Sequence, residues 1–245
     1  LHTLSKFFIS QFYNQPDSAI AQGNVIMDKY QKELSASIPA IAFFMAEDYS
    51  RLGSNEMAFK IMHNLNEAYR KSGVEPNPNY VNIEDIYRIY SEQLAFSVTK
   101  PRHDTSASLF YRYYSDQQGK NHKNLYIGTQ FNGKDMKVIF DTGAGINMIT
   151  RDVAESVGAR IIKTKGIQFN GFGIGKSEEI AFVDSVKLGD VTFRNVPFFI
   201  NDFKTGNEKV DEKLKEIDIN CVIGNQMMMP LGEICFDFKN MQLTI

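Results

Sequence analysis

The chain has 245 residues, of which 43% are hydrophobic and 23% charged. That balance fits a folded protein with one large or two modest domains. Lys and Arg total 27 against 29 Asp and Glu, a net charge of −2, and no basic face of the kind nucleic acid requires stands out. No apolar run nears the ~20 residues of a membrane span, the nearest being Ile38 to Met45.

The first hundred residues carry helical periodicity. Leu4–Tyr13 and Asp17–Leu34 are expected to be helical. Ile38, Ile41, Phe44, Met45 and Tyr49 recur at helical spacing until Leu52-Gly53, and a glycine just past a periodic run is a stop signal. Ser54 opens the next run, through Met57, Ile61, Leu65, Ala68 and Tyr69, which Ser72-Gly73 ends. Asn82 precedes a third, with Ile83, Ile86, Tyr87, Tyr90 and Leu94. Glu84 and Asp85 would then sit in its first turn, where the helix dipole favours acids. The Ser37–Gly73 pair has about the length of a tetratricopeptide repeat, but no second copy follows, and a solenoid needs about three. A small helical bundle is preferred.

Thr99-Lys100-Pro101-Arg102-His103-Asp104 is polar and contains proline, the mark of a boundary. The expected organisation is a helical domain over 1–100, a junction over 101–124 and a β domain over 125–245. Ser108–Tyr114 also reads as a strand or an aromatic cap on that junction. Beyond it the period becomes strand-like: Leu125–Ile127 and Met136–Phe140 flank Asn132-Gly133, the strongest short hairpin signal. Ile180–Leu188 and Val191–Ile200 flank a Gly189-Asp190 turn, a short helix is expected between Thr150 and Gly158, and residues 202–217 read as a charged surface loop with a helical turn.

Asp141-Thr142-Gly143-Ala144 ends the apolar run Val138-Ile139-Phe140 and precedes a second apolar pair, Met148-Ile149. An ionisable group is thereby placed at the end of a buried strand, on a small-residue turn, and such half-buried carboxylates are functional candidates. With Gly171-Phe172-Gly173-Ile174-Gly175 and Cys221-Val222-Ile223-Gly224 following in order, and a closing hairpin over Ile234–Leu243, residues 120–245 resemble the retropepsin-like aspartic proteases, particularly single-domain members of bacterial type. The resemblance implies an α + β, multi-domain chain whose C-terminal part is an all-β closed barrel. It implies a catalytic Asp141, with Thr142 bracing the turn and Gly143 allowing close backbone approach. It implies a substrate-binding flap over Gly171, Phe172, Gly173 and Ile174, and a floor of Ala144, Gly145, Ile223 and Gly224. Retroviral members carry an acidic residue where Gly145 stands, and related enzymes often carry Ser or Thr at Ala144, so two hydrogen-bonding groups are missing.

Such enzymes hold one water between two carboxylates. This chain has one Asp-Thr-Gly; Asp184-Ser185-Val186 and Asp237-Phe238-Lys239 lack the small residues. The partner carboxylate is expected from a second copy across a two-fold axis. The expected activity is endopeptidase cleavage of a peptide or protein substrate by a homodimer, with no metal and no cofactor. The alternative is a dimerisation or peptide-binding module of the same fold with little turnover, and the helical part could restrain the protease.

Asn170–Ser177 ends in Gly-Lys-Ser as a phosphate-binding loop does, but strand-like Ile180–Val183 follows where that loop needs a helix. The four histidines form no metal pair, and the two cysteines, Cys221 and Cys235, are expected as buried free thiols rather than a disulfide. The chain begins at Leu1; if this reflects processing and a removed signal peptide, the protein would be periplasmic or secreted.

Overall fold

The computed structural model describes residues 2–115, 119–171, 173–203, 208, 211–212 and 219–245. The chain divides into two compact units, Leu1–Ala95 and Phe96–Ile245.

The first unit has five α-helices among its described residues: α1 (His2–Phe12), α2 (Pro16–Lys29), α3 (Ile38–Arg51), α4 (Asn55–Lys71) and α5 (Pro78–Ser91). Short connections bring successive helices against one another. Phe7, Ala19, Ile26, Ile41 and Met45 are buried at their seam. Gly53 and Gly73 end α3 and α4 with φ of 79° and 77°, the left-handed conformation that makes glycine the usual helix stop. The fifth helix starts a turn earlier than the Asn82 signal predicts. Pro78 sits in its first turn, and the Asn77 side chain accepts from the amide of Asn79 at 2.9 Å, a stronger cap than Asn82 could offer. Glu84 and Asp85 therefore lie beyond the first turn and serve side-chain pairs instead. Glu84 accepts from Asn66 Nδ2 at 2.6 Å and faces His63 Nδ1 at 2.7 Å, while Asp85 pairs with Arg88 at 2.9 Å.

The second unit is a mixed β-sheet region. Its strands are β1 (Ser97–Thr99), β2 (Ser106–Ser115), β3 (Asn121–Phe131), β4 (Lys134–Phe140), β5 (Met148–Ile149), β6 (Arg160–Gly171), β7 (Gly173–Leu188), β8 (Val191–Ile200), β9 (Cys221–Ile223), β10 (Cys235–Asp237) and β11 (Gln242–Thr244). Neighbours run β10-β11-β2-β3-β4-β9-β5-β8-β7-β6; β1 adds to β8, and β3 also pairs with β7 through Gln130↔Lys187 and Phe131↔Val186. Residues 101–124, read from sequence as a junction, thus contribute β2 and the start of β3. The aromatic run Phe110–Tyr113 is an ordinary strand partner, paired with β3 on one side, while Ser106–Ser108 pair with β11 on the other.

Asn132 and Gly133 have φ of 49° and 82°, as the tight β3–β4 hairpin demands of both turn residues. Ile127, Phe131, Val138, Val183, Val186, Phe193, Phe198 and Ile223 are fully buried between the strands. The short helix α6 (Arg151–Ser156) follows β5, with Thr150 at its cap position and Gly158 beyond its end at φ 70°. Cys221 is buried, and desolvation pushes its thiol well above the usual range; Cys235 is exposed rather than buried, because β10 is the last strand on the sheet path. Of residues 204–218 only Glu208, Asp211 and Glu212 are described, and all three are helical, where the sequence predicts a helical turn. No described helix is long and apolar enough to cross a membrane.

Candidate active site

The loop that follows β4 is built over one central strand. β9 lies between β4, to which it is parallel through Ile139↔Val222 and Phe140↔Ile223, and β5, to which it is antiparallel through Met148↔Val222 and Ile149↔Cys221. Residues 141–147 must therefore cross the end of β9 to pass from one flank to the other. Strand pairing fixes both feet of this loop, so its crest cannot slide.

Asp141 stands at the first foot. Its amide donates to Ile223 O at 3.0 Å, and its Oδ1 accepts from the amide of Gly143 at 2.8 Å. Ala144 N closes the turn onto Asp141 O at 3.1 Å. Backbone amide and carboxylate are thus both held, which a flexible surface Asp would not be. The Asp141 residue is half-buried, whereas Thr142, Gly143 and Gly145 are exposed. A Cβ on Gly143 would meet Asp141 Oδ1 at 3.2 Å, while one on Gly145 would meet nothing within 4 Å. Ala144 is partly buried against a small cluster that includes Val222, Phe203 and Ile219.

Gly224 lies directly beneath the loop. A Cβ there would come within 2.4 Å of Ile146 O and 2.7 Å of Ala144 O, distances no side chain tolerates. Its φ of −111° is open to any residue, so glycine is required by space and not by torsion. The following amide, Asn225 N, donates to Ala144 O at 2.8 Å. Ile223, expected as part of a substrate floor, has its side chain in the hydrophobic core, fully buried. Its backbone carbonyl is what reaches the site.

The glycine-rich hairpin is the meeting of β6 and β7, antiparallel through Phe169↔Gly175, Asn170↔Ile174 and Gly171↔Gly173. Phe172 lies outside the described residues. Strand on both sides of Gly-Lys-Ser leaves no helix N-terminus for a phosphate. The register shifts between Lys163 and Ile167, where Gly166 adopts φ 100°, a bulge within the hairpin arm. At its base Arg151 of α6 pairs with Glu179 of β7, and the paired acids hold the guanidinium's pKa above its ordinary value.

Two features at this site escape the sequence signals. The side chain of Asn147 is fully buried, with Oδ1 accepting from Gly224 N at 3.0 Å and Nδ2 donating to Pro197 O at 3.1 Å and Gln226 Oε1 at 3.3 Å. Phe140, next to Asp141, meets Phe236 edge-on with ring centroids 6.0 Å apart, and Phe236 stacks on the exposed Phe238 at 5.9 Å. Neither an isolated Asn nor a Phe hairpin motif has a periodicity that announces such contacts. A separate cleft of about 1050 Å³, lined by Phe110, Tyr126, Gly128 and Lys137, includes none of the loop residues. Among the described residues no group of three or more His, Cys, Asp or Glu side chains is placed to hold a metal ion.

A family model for aspartyl proteases matches residues 127–227. Among solved structures, the chain is similar to a retropepsin-like aspartic protease from Rickettsia conorii, at 17% identity and a TM-score of 0.33, over 61% of this chain and 92% of that one. Among curated proteins, none matches.

Proposed function

We propose, for a chain whose residues 127–227 match a family model for aspartyl proteases, that the protein is an aspartic endopeptidase active as a homodimer. The observation that carries this reading is the Asp141 loop: a half-buried carboxylate, fixed by its own turn and by Ile223 O, on a crest of exposed small residues. One such carboxylate can bind a water but cannot both accept its proton and donate one to the scissile carbonyl. Two, close enough to share a single proton, can do both.

The second carboxylate would be Asp141 of another copy. Thr142 and Gly143 sit exposed beside it, as a symmetric approach of two loops requires, since bulk there would hold the carboxylates apart. The strip Phe140–Phe236–Phe238 runs from the residue before Asp141 to β10, the terminal strand of the path, and such edges pair readily with another chain. The β3–β7 pairing returns the sheet path on itself, which we read as the family's small closed barrel. The Gly171–Gly175 hairpin would close over an extended peptide held mainly through backbone hydrogen bonds, and Ala144 and Gly145 would leave room for that backbone. On this reading the helical unit, which ends at Ala95, would be an appended domain.

Asp141→Asn tests the reading. The amide preserves shape and removes the shared proton, so hydrolysis of a peptide library should vanish while the far-UV spectrum and melting temperature stay. Hydrolysis at the wild-type rate would remove Asp141 from the mechanism.

A further inference from the structure

The geometry points to Asn147 as a positioning residue that couples the hairpin-bearing sheet to the Asp141 loop. This rests on the reading of Asp141 as catalytic. Asn147 is the last residue of the loop, six after the carboxylate, and its side chain is fully buried. A buried amide is retained only where its partners repay its desolvation. Here they come from separate parts of the unit. Oδ1 takes the amide of Gly224, which the loop carbonyls already hem in. Nδ2 reaches Pro197 O in β8 and Gln226 Oε1, and the main-chain oxygen of Asn147 accepts from Phe199 N at 2.9 Å.

Those strand partners matter because of where β8 leads. Pro197 lies opposite Phe182 in the β7–β8 ladder, and β7 continues outward into the glycine hairpin at Gly173. Proline has no amide to give that ladder, and Asn147 holds its carbonyl. A shift of the hairpin arm on substrate closure therefore reaches β8, and through one rigid side chain reaches Gly224 and the crest of the loop. An aliphatic residue would fill the same space but would leave Gly224 N and Pro197 O without these partners, each a costly loss in a buried site.

Asn147→Asp separates this role from plain packing. It keeps the shape and the acceptor for Gly224 N but removes the donor to Pro197 O and Gln226 Oε1. Near neutral pH we expect kcat per folded chain to fall by about 10- to 100-fold with KM within about threefold, the cost of a small misplacement of the reacting group. The deficit should shrink in acid, where the protonated carboxyl regains an O–H donor. Leu188→Ala, which weakens the core at the far end of the same ladder, should lower melting temperature without changing kcat per folded chain. A deficit constant with pH and matched by Leu188→Ala would overturn the proposal, as would a wild-type kcat. Should Asn147→Asp not fold, Gln226→Met removes one acceptor only and should give a smaller fall in kcat; no fall overturns it. Amide hydrogen exchange keeps this test apart from that of the protease reading. In the Gln226→Met or Asn147→Asp chain, Gly224 and Phe199 should lose protection together, and loss at one alone refutes the coupling even if no peptide is cleaved by the wild type.

Discussion

Gly224→Ala is the substitution whose effect the coordinates define most closely. The added Cβ would lie 2.4 Å from Ile146 O, 2.7 Å from Ala144 O and 2.9 Å from the carbonyl carbon of Ile146. Ordinary carbon–oxygen contacts begin near 3.3 Å, so the loop crest must lift by about 1 Å. All three neighbours are backbone, so no side chain can rotate away. Lifting them strains the 2.8 Å bond from Asn225 N to Ala144 O and the 3.0 Å bond from Asp141 N to Ile223 O. Overpacking of this kind costs about 1–3 kcal/mol, or roughly 2–12 °C in melting temperature for a unit of this size. A displacement of about 1 Å at a reacting carboxylate costs about 100-fold in rate, so activity should fall well beyond what the lost stability explains. The assay is kcat/KM on a cleaved peptide, with melting temperature measured alongside, and Leu188→Ala as the control because it opens the core at the far end of the β7–β8 ladder, away from the loop. If Gly224→Ala retained activity per folded chain within about threefold of Leu188→Ala, the loop would not be seated as described.

Dilution should reduce total activity more steeply than linearly, so that specific activity falls, because the site is assembled from two chains; a specific activity that stays flat across the dissociation range of the dimer, followed by light scattering, would speak for a self-sufficient site. Gly173→Val should reduce turnover far more than melting temperature, since a β-branched residue narrows the backbone states open to the hairpin next to its tip; equal losses would make the hairpin a structural turn. In the helical unit, burial raises the Asp48 carboxyl from 3.8 to about 6 against the opposing bonds from Gln11 and Arg51. The folded unit then binds more protons than the unfolded chain between those values, so its stability falls as pH rises through that window. Asp48→Asn should flatten the slope, and an unchanged slope in hydrogen exchange of α1 and α3 would refute the assignment.

What the sequence made legible were features set by local rules. Asn132-Gly133 announces its hairpin because few other residues accept positive φ at both positions, and Gly53 and Gly73 announce helix ends for the same reason. Asp141 stands out because a carboxylate at the end of an apolar strand violates the usual segregation of charge from core. The features that escaped depend on contacts distant in sequence. β6 mixes Lys163, Lys165 and Gln168 with apolar residues and a mid-strand glycine, so its alternation is broken by the bulge that shapes it. Ser108–Tyr114 stays open in the sequence between a strand and an aromatic cap, because its β11 partners lie more than a hundred residues further on. Cys235 read as buried from its apolar neighbours, yet it belongs to the last strand of the sheet path, where one flank stays open. Nothing local marks Asn147, whose meaning comes from Gly224, Gln226 and Pro197, 50 to 79 residues away. The start of α5 was misplaced because Asn82 resembles a cap, while Asn77-Pro78 is one.

Mixing wild-type and Asp141→Asn chains at fixed total concentration tests the central claim most directly, since it asks whether each site draws its carboxylates from two copies. If it does, mixed dimers are inactive and activity follows the square of the wild-type fraction, leaving about a quarter at equal proportions. Activity falling in simple proportion to the wild-type fraction, with about half remaining in the equal mixture, would mean that one chain carries a complete site and would contradict the account.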